Sequence, residues 1–166
     1  MRSPRALLLL LVLAVAAAVL AYEFVRSHNR VGSSIPIYYT QLDGQTLRSF
    51  DVTLGPARDL RSAAFYAATQ AVAGPAPEVA AIRFPSGTFV HAVAIDGGVA
   101  TVDLSGNVKN GEGGSFGESG EFEGLVWTMT ALPGISAVRI TVDGAPLAAL
   151  PGGHLELDEP LRRSGW

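Results

Sequence analysis

The sequence contains no cysteine, and this absence excludes several kinds of chemistry at once. Without a thiol the chain forms no disulfide, offers a metal no thiolate ligand and has no cysteine nucleophile. It also has no cysteine that could carry a lipid. Histidine is scarce as well, because His28, His91 and His154 fall in three separate segments. Such scattered positions do not predict a metal site, so we expect no metal and no cofactor.

Lysine is almost absent, and the basic residues do not cluster. Lys109 is the single lysine, the arginines are spread along the chain, and the formal net charge is −3 at pH 7. Proteins that bind nucleic acids concentrate lysine and arginine on one face, where they neutralise phosphates. We therefore expect no nucleic-acid partner.

Motifs typical of enzymes are missing too. The stretch Gly113–Gly117 resembles a serine-nucleophile elbow only by composition, and it does not follow a predicted strand. A phosphate-binding loop would need a lysine followed by serine or threonine, which this glycine-rich stretch lacks. Glu112, Glu118, Glu121 and Glu123 lack the spacing of a calcium-binding loop, so they predict a solvated acidic loop. We expect no catalytic residue and no enzymatic activity.

The first long pattern in the sequence is apolar. Residues 1–5 carry Arg2 and Arg5, and Ala6–Tyr22 follows without a charge. This run is longer than most signal-peptide cores but shorter than the roughly 20 residues that span a bilayer. Two interpretations stay open: residues 6–25 form a transmembrane anchor, or they form a signal peptide cleaved after Ala21. Both place the following domain outside the cytosol, in or beyond the membrane.

The remaining chain predicts one α+β domain, residues 35–157, between a tether at 26–34 and a tail at 158–166. Period-two patterns and turn residues predict strands at Ile35–Thr40, Leu47–Leu54, Thr88–Ile95, Val99–Leu104 and Ile135–Val142. Helical spacing predicts one helix at Arg58–Ala73 and a second one that begins near Ser119 and ends before Pro133–Gly134. The order is β-β-α-β-β-α-β. We expect both helices on one face of a mixed or antiparallel sheet.

Between the fourth strand and the second helix lies the glycine-rich segment Gly106–Gly120. Glycine disfavours helices and strands, so the composition predicts a loop, and a loop of this length is either mobile or functional. Its glycines and glutamates offer little apolar surface. We therefore expect it to be dispensable for folding.

Several segments together resemble the GerMN domain of bacterial sporulation and spore germination proteins. They are, in chain order, Tyr38–Thr40, Phe84–Thr88, Val93–Ser105, Leu125–Thr130, Leu132–Ile135 and Val138–Gly144. The resemblance covers about Ile35–Leu157. It implies the fold given above, and a likeness to the ring-building modules of bacterial secretion and sporulation channels. The chain departs from the lipoprotein members of this family, since it has no cysteine to lipidate.

The resemblance also implies a non-enzymatic interaction domain in the bacterial envelope, whose partner is another envelope protein or a second copy of the chain. Trp127 flanks the apolar stripe of the second helix and is a candidate contact residue. Tyr38 and Tyr39 lie on the predicted edge strand, which contains Pro36 and could pair with a partner. The alternative is a module that binds a small ligand or peptidoglycan through segment 106–120, where Phe116 is the single aromatic residue.

Export can be tested with a reporter that is active only outside the cytosol. We expect a fusion of residues 1–34 to that reporter to be active, because a charge-free apolar run behind a basic head directs export. The same reporter without residues 1–34 is the control. A well-expressed fusion that stays silent would contradict the prediction.

Overall fold

The computed structural model of the chain describes residues 4–28, 31–55, 59–111, 114–151 and 155–166. The predicted mixed α+β class is confirmed. The helices are α1 (Pro4–His28), α2 (Leu60–Ala73) and α3 (Gly114–Met129), with short 3₁₀ turns at Gly106–Asn110 and Arg163–Gly165. The strands are β1 (Ser34–Thr40), β2 (Leu47–Thr53), β3 (Val90–Asp96), β4 (Val99–Leu104), β5 (Ala137–Val142) and β6 (Ala145–Pro146).

The strands form two sheets, so the expectation of a single sheet was wrong. β1 and β2 make an antiparallel pair, and the second sheet has the order β3-β4-β5-β6. In the second sheet β4 and β5 are parallel while the other neighbours are antiparallel. A parallel pair needs a long crossover, and α3 provides it between β4 and β5. The hairpin between β3 and β4 turns at Gly97 and Gly98, whose φ angles of 52° and 81° suit glycine.

Alanine residues let α2 lie close to its neighbours, as the small-residue stripe predicts. Asp59 caps the helix, because its carboxylate accepts a hydrogen bond from the backbone N–H of Ser62 at 3.0 Å. Six side chains of one face are buried: Ala63, Ala64, Ala67, Ala68, Ala71 and Val72. This face packs against α3, β1 and β3.

The contact between α3 and β1 is closer still, and Gly124 makes it possible, while Gly120 lets the same helix pack closely on the segment after α2. A Cβ atom at Gly124 would lie 2.8 Å from the carbonyl oxygen of Tyr38, and one at Gly120 would collide with Ile82. The two glycines are one helical turn apart, so they open the same face of α3. At this contact the backbone N–H of Tyr38 donates to the Thr128 hydroxyl at 2.8 Å.

β1 is an edge strand of its two-stranded sheet, as predicted, but α3 and the segment after α2 pack against its outer edge. Pro36 has no N–H, and the N–H of Tyr38 is bonded to α3. The Thr40 carbonyl accepts the N–H of Ile82 at 2.8 Å, beside a bridge between Gln41 and Ala81. Two of the groups that strand addition would use on this edge, the Tyr38 N–H and the Thr40 carbonyl, are therefore already bonded.

The glycine-rich segment is not a loop throughout, which corrects the prediction for Gly106–Gly120. A 3₁₀ turn spans Gly106–Asn110, and α3 begins at Gly114, so Ser119 lies inside the helix and does not cap it. Val108 is 1% exposed and belongs to the core. Packing here overrides the low helix propensity of glycine. Deleting the segment would remove core contacts, contrary to the expectation that it is dispensable.

The described side chains of the N-terminal helix are exposed, whereas the C-terminal residues pair with the second sheet. In α1 the described side chains, residues 10–23, are exposed. Within the described residues, no helix combines the length and the apolar character needed to cross a membrane. Anchoring and export by residues 6–25 both stay predictions. The predicted tail pairs with the second sheet, because Leu161 and Val138 exchange backbone hydrogen bonds of 2.9 and 2.7 Å.

Gly124→Ala tests the close approach of α3 and β1. Its new methyl group meets a backbone carbonyl that cannot rotate away, so we expect a loss of about 2 kcal/mol in the free energy of unfolding. Gly117→Ala is the matched control on the same helix, where nothing lies within 4 Å of the added Cβ. We expect it to gain about 0.5–1 kcal/mol through helix propensity. Urea unfolding followed by circular dichroism measures both. Equal stabilities would contradict the close contact.

Candidate functional site

Trp127 lies half-buried on the outer side of α3, and the structure brings two other residues to it. Its ring centroid is 5.8 Å from that of Tyr38 on β1. The guanidinium carbon of Arg163 lies 4.3 Å from the Trp127 ring centroid, a cation–π distance. We call Tyr38, Trp127 and Arg163 the aromatic–arginine patch.

Arg163 is held in this patch by the end of α3. Its Nε donates to the Thr130 hydroxyl at 2.7 Å, and its Nη2 donates to the Trp127 carbonyl at 3.1 Å. Both interactions satisfy groups in the last turn, where a positive charge is favourable. The pairing of Leu161 with Val138 brings Arg163 to this position. Sequence reasoning missed Arg163, since no local pattern links two residues 36 positions apart.

Tyr39, another candidate contact residue, does not join the patch. Tyr39 is 7% exposed, and its hydroxyl donates to the Gln70 carbonyl at 2.9 Å. Burial raises the pKa of Tyr39 to about 12, although the charge of Arg83 opposes the rise. Tyr39 is therefore a core residue. Phe116 belongs to the first turn of α3, but its side chain lies outside the described residues.

A cleft of about 460 Å³ opens at the other end of α3. It lies between the first half of this helix, the segment that follows α2 and the 3₁₀ turn after β4. Its lining includes Leu42, Ile82, Pro85, Asn110, Gly111 and Glu121. Part of this lining belongs to segment 106–120, for which the sequence indicates ligand binding as an alternative. This part is Asn110 and Gly111, and Glu121 directly follows the segment.

Glu121 in the lining of this cleft is half-buried, and Glu118, one helical turn before it, is buried. Burial raises the pKa of Glu121 from its ordinary 4.5 to about 8, and the neighbouring charge of Glu118 adds to the rise. Glu118 is 7% exposed, and its Oε2 has no hydrogen-bond partner among the described residues. Glu118 and Glu121 also share a small cavity of about 10 Å³. The expected solvated acidic loop was wrong for both residues.

Neither nearby cation neutralises these carboxyl groups. Arg83 lines the cleft, but its guanidinium donates to the carbonyls of Pro75 and Ala76 at 2.6 and 2.9 Å. Lys109 lines the small cavity, and no ion pair joins it to either glutamate in the part of the chain that is described. Glu123, by contrast, has a partner, because its carboxylate accepts the Thr40 hydroxyl at 3.0 Å.

A metal centre is not formed by the described residues, which contain no group of three or more histidine, aspartate or glutamate side chains able to hold an ion. Glu112 and His154 lie outside the described residues, as does the first part of the predicted helix at Arg58. His91 is described: its Nε2 lies 3.1 Å from a carboxylate oxygen of Asp143 on the surface.

The fold and the sequence together define the family. The sequence profile described as "Germane: Sporulation and spore germination" matches residues 36–148. The chain therefore belongs to this family of GerMN domains, as the resemblance implies. Among curated protein sequences, none matches the chain.

Solved structures with a similar fold come from two bacteria. The tandem GerMN domains of the sporulation protein GerM from Bacillus subtilis match with a TM-score of 0.64 at 22% identity, over 80% of this chain and 47% of that one. The first GerMN domain of the same protein gives 0.63 at 22% identity, over 80% and 99%. A putative lipoprotein from Clostridium perfringens gives 0.58 at 21% identity, over 82% and 92%. The chain thus spans about half the length of the tandem structure.

The raised pKa of Glu121 makes the stability of the domain depend on pH. The folded chain holds this proton more tightly than the unfolded chain, so stability falls as the pH rises from 4.5 towards 8. Glu121→Gln is neutral throughout, and we expect its melting temperature to exceed that of the unaltered chain increasingly across this window. Glu123→Gln is the control, which should lose stability because the Thr40 hydroxyl loses a charged acceptor. A constant difference between Glu121→Gln and the unaltered chain from pH 4 to 9 would contradict the buried position of Glu121.

Proposed function

We propose that this chain is a non-enzymatic, extracytoplasmic protein-interaction domain of the bacterial envelope, exported or tethered by residues 6–25. Its partner is another envelope protein or a second copy of the chain. The membership in a sporulation and spore germination family supports a role of this kind. The likeness to a protein named as a lipoprotein supports a place at the envelope.

The observation that carries the proposal is the aromatic–arginine patch. Tryptophan, tyrosine and arginine are the residue types most enriched among those that dominate binding energy at protein interfaces. Here one of each meets on the outer side of α3, with Trp127 between the Tyr38 ring and the Arg163 guanidinium. The hydrogen bonds of Arg163 fix the geometry before a partner arrives, which lowers the entropy lost on binding.

A second candidate function is the binding of a small ligand or of peptidoglycan, and the cleft favours it. Its volume of about 460 Å³ falls in the range of small-molecule sites. It combines an apolar wall with a half-buried titratable group, Glu121, whose raised pKa is a common feature of functional sites.

Trp127→Ala tests the patch in a pull-down of the full chain from detergent-solubilised envelope, with mass spectrometry of the recovered proteins. An interface tryptophan is often worth about 2 kcal/mol, so we expect recovery of the partner to fall tenfold or more. Phe65→Ala is the matched control, because Phe65 is an aromatic residue of α2 that is 42% exposed. This variant should recover the partner as well as the unaltered chain.

Thermal unfolding of each variant establishes that it is folded before its recovery is compared. Arg163→Gln provides a second reading of the same patch, since it removes the cation and keeps the length of a polar side chain. Unchanged recovery by the folded Trp127→Ala and Arg163→Gln variants would contradict the proposal. An equal loss with Phe65→Ala would contradict it too.

A further inference from the structure

We propose that the cleft at the first half of α3 binds a primary ammonium group carried on an aliphatic stem. The inference rests on the second candidate function, the ligand-binding module, and names the class of ligand. The head of the ligand lies against Glu118 and Glu121, and the stem lies along the apolar wall of the cleft.

The first reason to expect a cation in this cleft is the unpaired carboxylate oxygen of Glu118. A carboxylate oxygen that is removed from water and unpaired costs free energy until a donor reaches it. Glu118 Oε2 is in this position, in a side chain that is 7% exposed. Glu121, one helical turn away, lines the same small cavity and adds a second carboxyl group. A single donor with positive charge placed between them would satisfy both.

The chain itself does not supply that cation in the described structure. The charged groups that face Glu121 are Glu118 on its own helix, Arg83 after α2 and Lys109 after β4. Arg83 is committed to the carbonyls of Pro75, Ala76 and Val79. Lys109 is exposed and forms no ion pair with either carboxyl group among the described residues. A ligand would supply the positive charge that these carboxyl groups lack among the described residues.

The cavities indicate an organic ammonium group rather than a metal ion. A cavity of about 10 Å³ holds one atom of the size of a water oxygen or an ammonium nitrogen. Calcium needs six or more oxygen ligands, and the described residues contain no group of three metal-binding side chains. Glu121 and Gly111 line both cavities, and the larger one presents Leu42, Ile82 and Pro85. Leu42 is 64% exposed, and methylene groups of a ligand would cover it.

Two kinds of ligand carry an ammonium group on an aliphatic stem: a lysine side chain of a partner protein and a free amine. The experiment therefore uses two probes to distinguish them. The full chain, labelled with ¹⁵N in dodecyl maltoside, is titrated with N-acetyl-lysinamide and followed by NMR. The peptide Ala-Ala-Lys-Ala-Ala is the second probe. Equal or tighter binding of the peptide assigns the site to lysine in a polypeptide, whereas its exclusion assigns it to a free amine. Both results support the ammonium site.

N-acetyl-norleucinamide is the matched control, because it has an aliphatic stem without the ammonium group. At pH 9 we expect saturable shifts of the Gly111 and Gly117 amides with N-acetyl-lysinamide, and at least tenfold weaker binding of the control. The Glu121→Gln variant should bind N-acetyl-lysinamide at least tenfold more weakly than the unaltered chain. Since the ligand requires the charged form of Glu121, its affinity should fall by about tenfold between pH 9 and pH 7.

Three results would overturn the inference. Equal binding of the two amides would mean that the cleft takes ligands without selecting for charge, so that the candidate function stands and this inference fails. If no probe binds, both the ligand-binding function of the cleft and the ammonium inference are contradicted. Displacement of the lysinamide by calcium chloride below millimolar concentration would identify a metal site. If Glu121→Gln does not fold, the pair of amides on the unaltered chain decides the question.

Discussion

The approach of α3 to β1 is the contact on which the rest of the structure depends. At Gly124 the helix backbone comes so close to the Tyr38 carbonyl that no side chain fits between them. The Thr128 hydroxyl, one turn further along α3, accepts a hydrogen bond from the Tyr38 N–H. A helix side chain thus provides the acceptor that a neighbouring strand would otherwise provide. The two-stranded sheet is thereby joined to the crossover helix of the four-stranded sheet, and both sheets share one core.

This contact also places the two candidate sites at the two ends of α3. Near its C-terminus, the position of β1 brings Tyr38 beside Trp127, and the chain after Leu161 returns to add Arg163. Near its N-terminus, Gly120 packs closely on Ile82, and the adjoining residues enclose the cleft with Glu121. Since these contacts cover part of the edge of β1, the proposed partner surface lies on side chains of α3 and not on a strand edge.

The sequence predicted those secondary-structure elements that depend on residues close together in the chain. The β3–β4 hairpin follows from Gly97 and Gly98, and the buried face of α2 follows from its alanines. The start of α3 could not be predicted in this way, because its first turns contain glycines, which disfavour helices, and no local signal marks Gly114 as the first residue. Arg163 and the division into two sheets depend on contacts between residues far apart in the chain. Of the candidate contact residues, Trp127 and Tyr38 meet, whereas Tyr39 belongs to the core.

Native-state hydrogen exchange at the Tyr38 amide tests the central claim, that α3 closes the outer edge of β1. Amides bonded inside the core exchange only when the whole domain unfolds, while amides on a free strand edge exchange quickly. We expect the Tyr38 amide to be as slow as those in the centre of β4, and Thr128→Val to accelerate it selectively, because Thr128 is its acceptor. Rapid exchange of Tyr38 in the unaltered chain, beside slow exchange in β4, would contradict the claim.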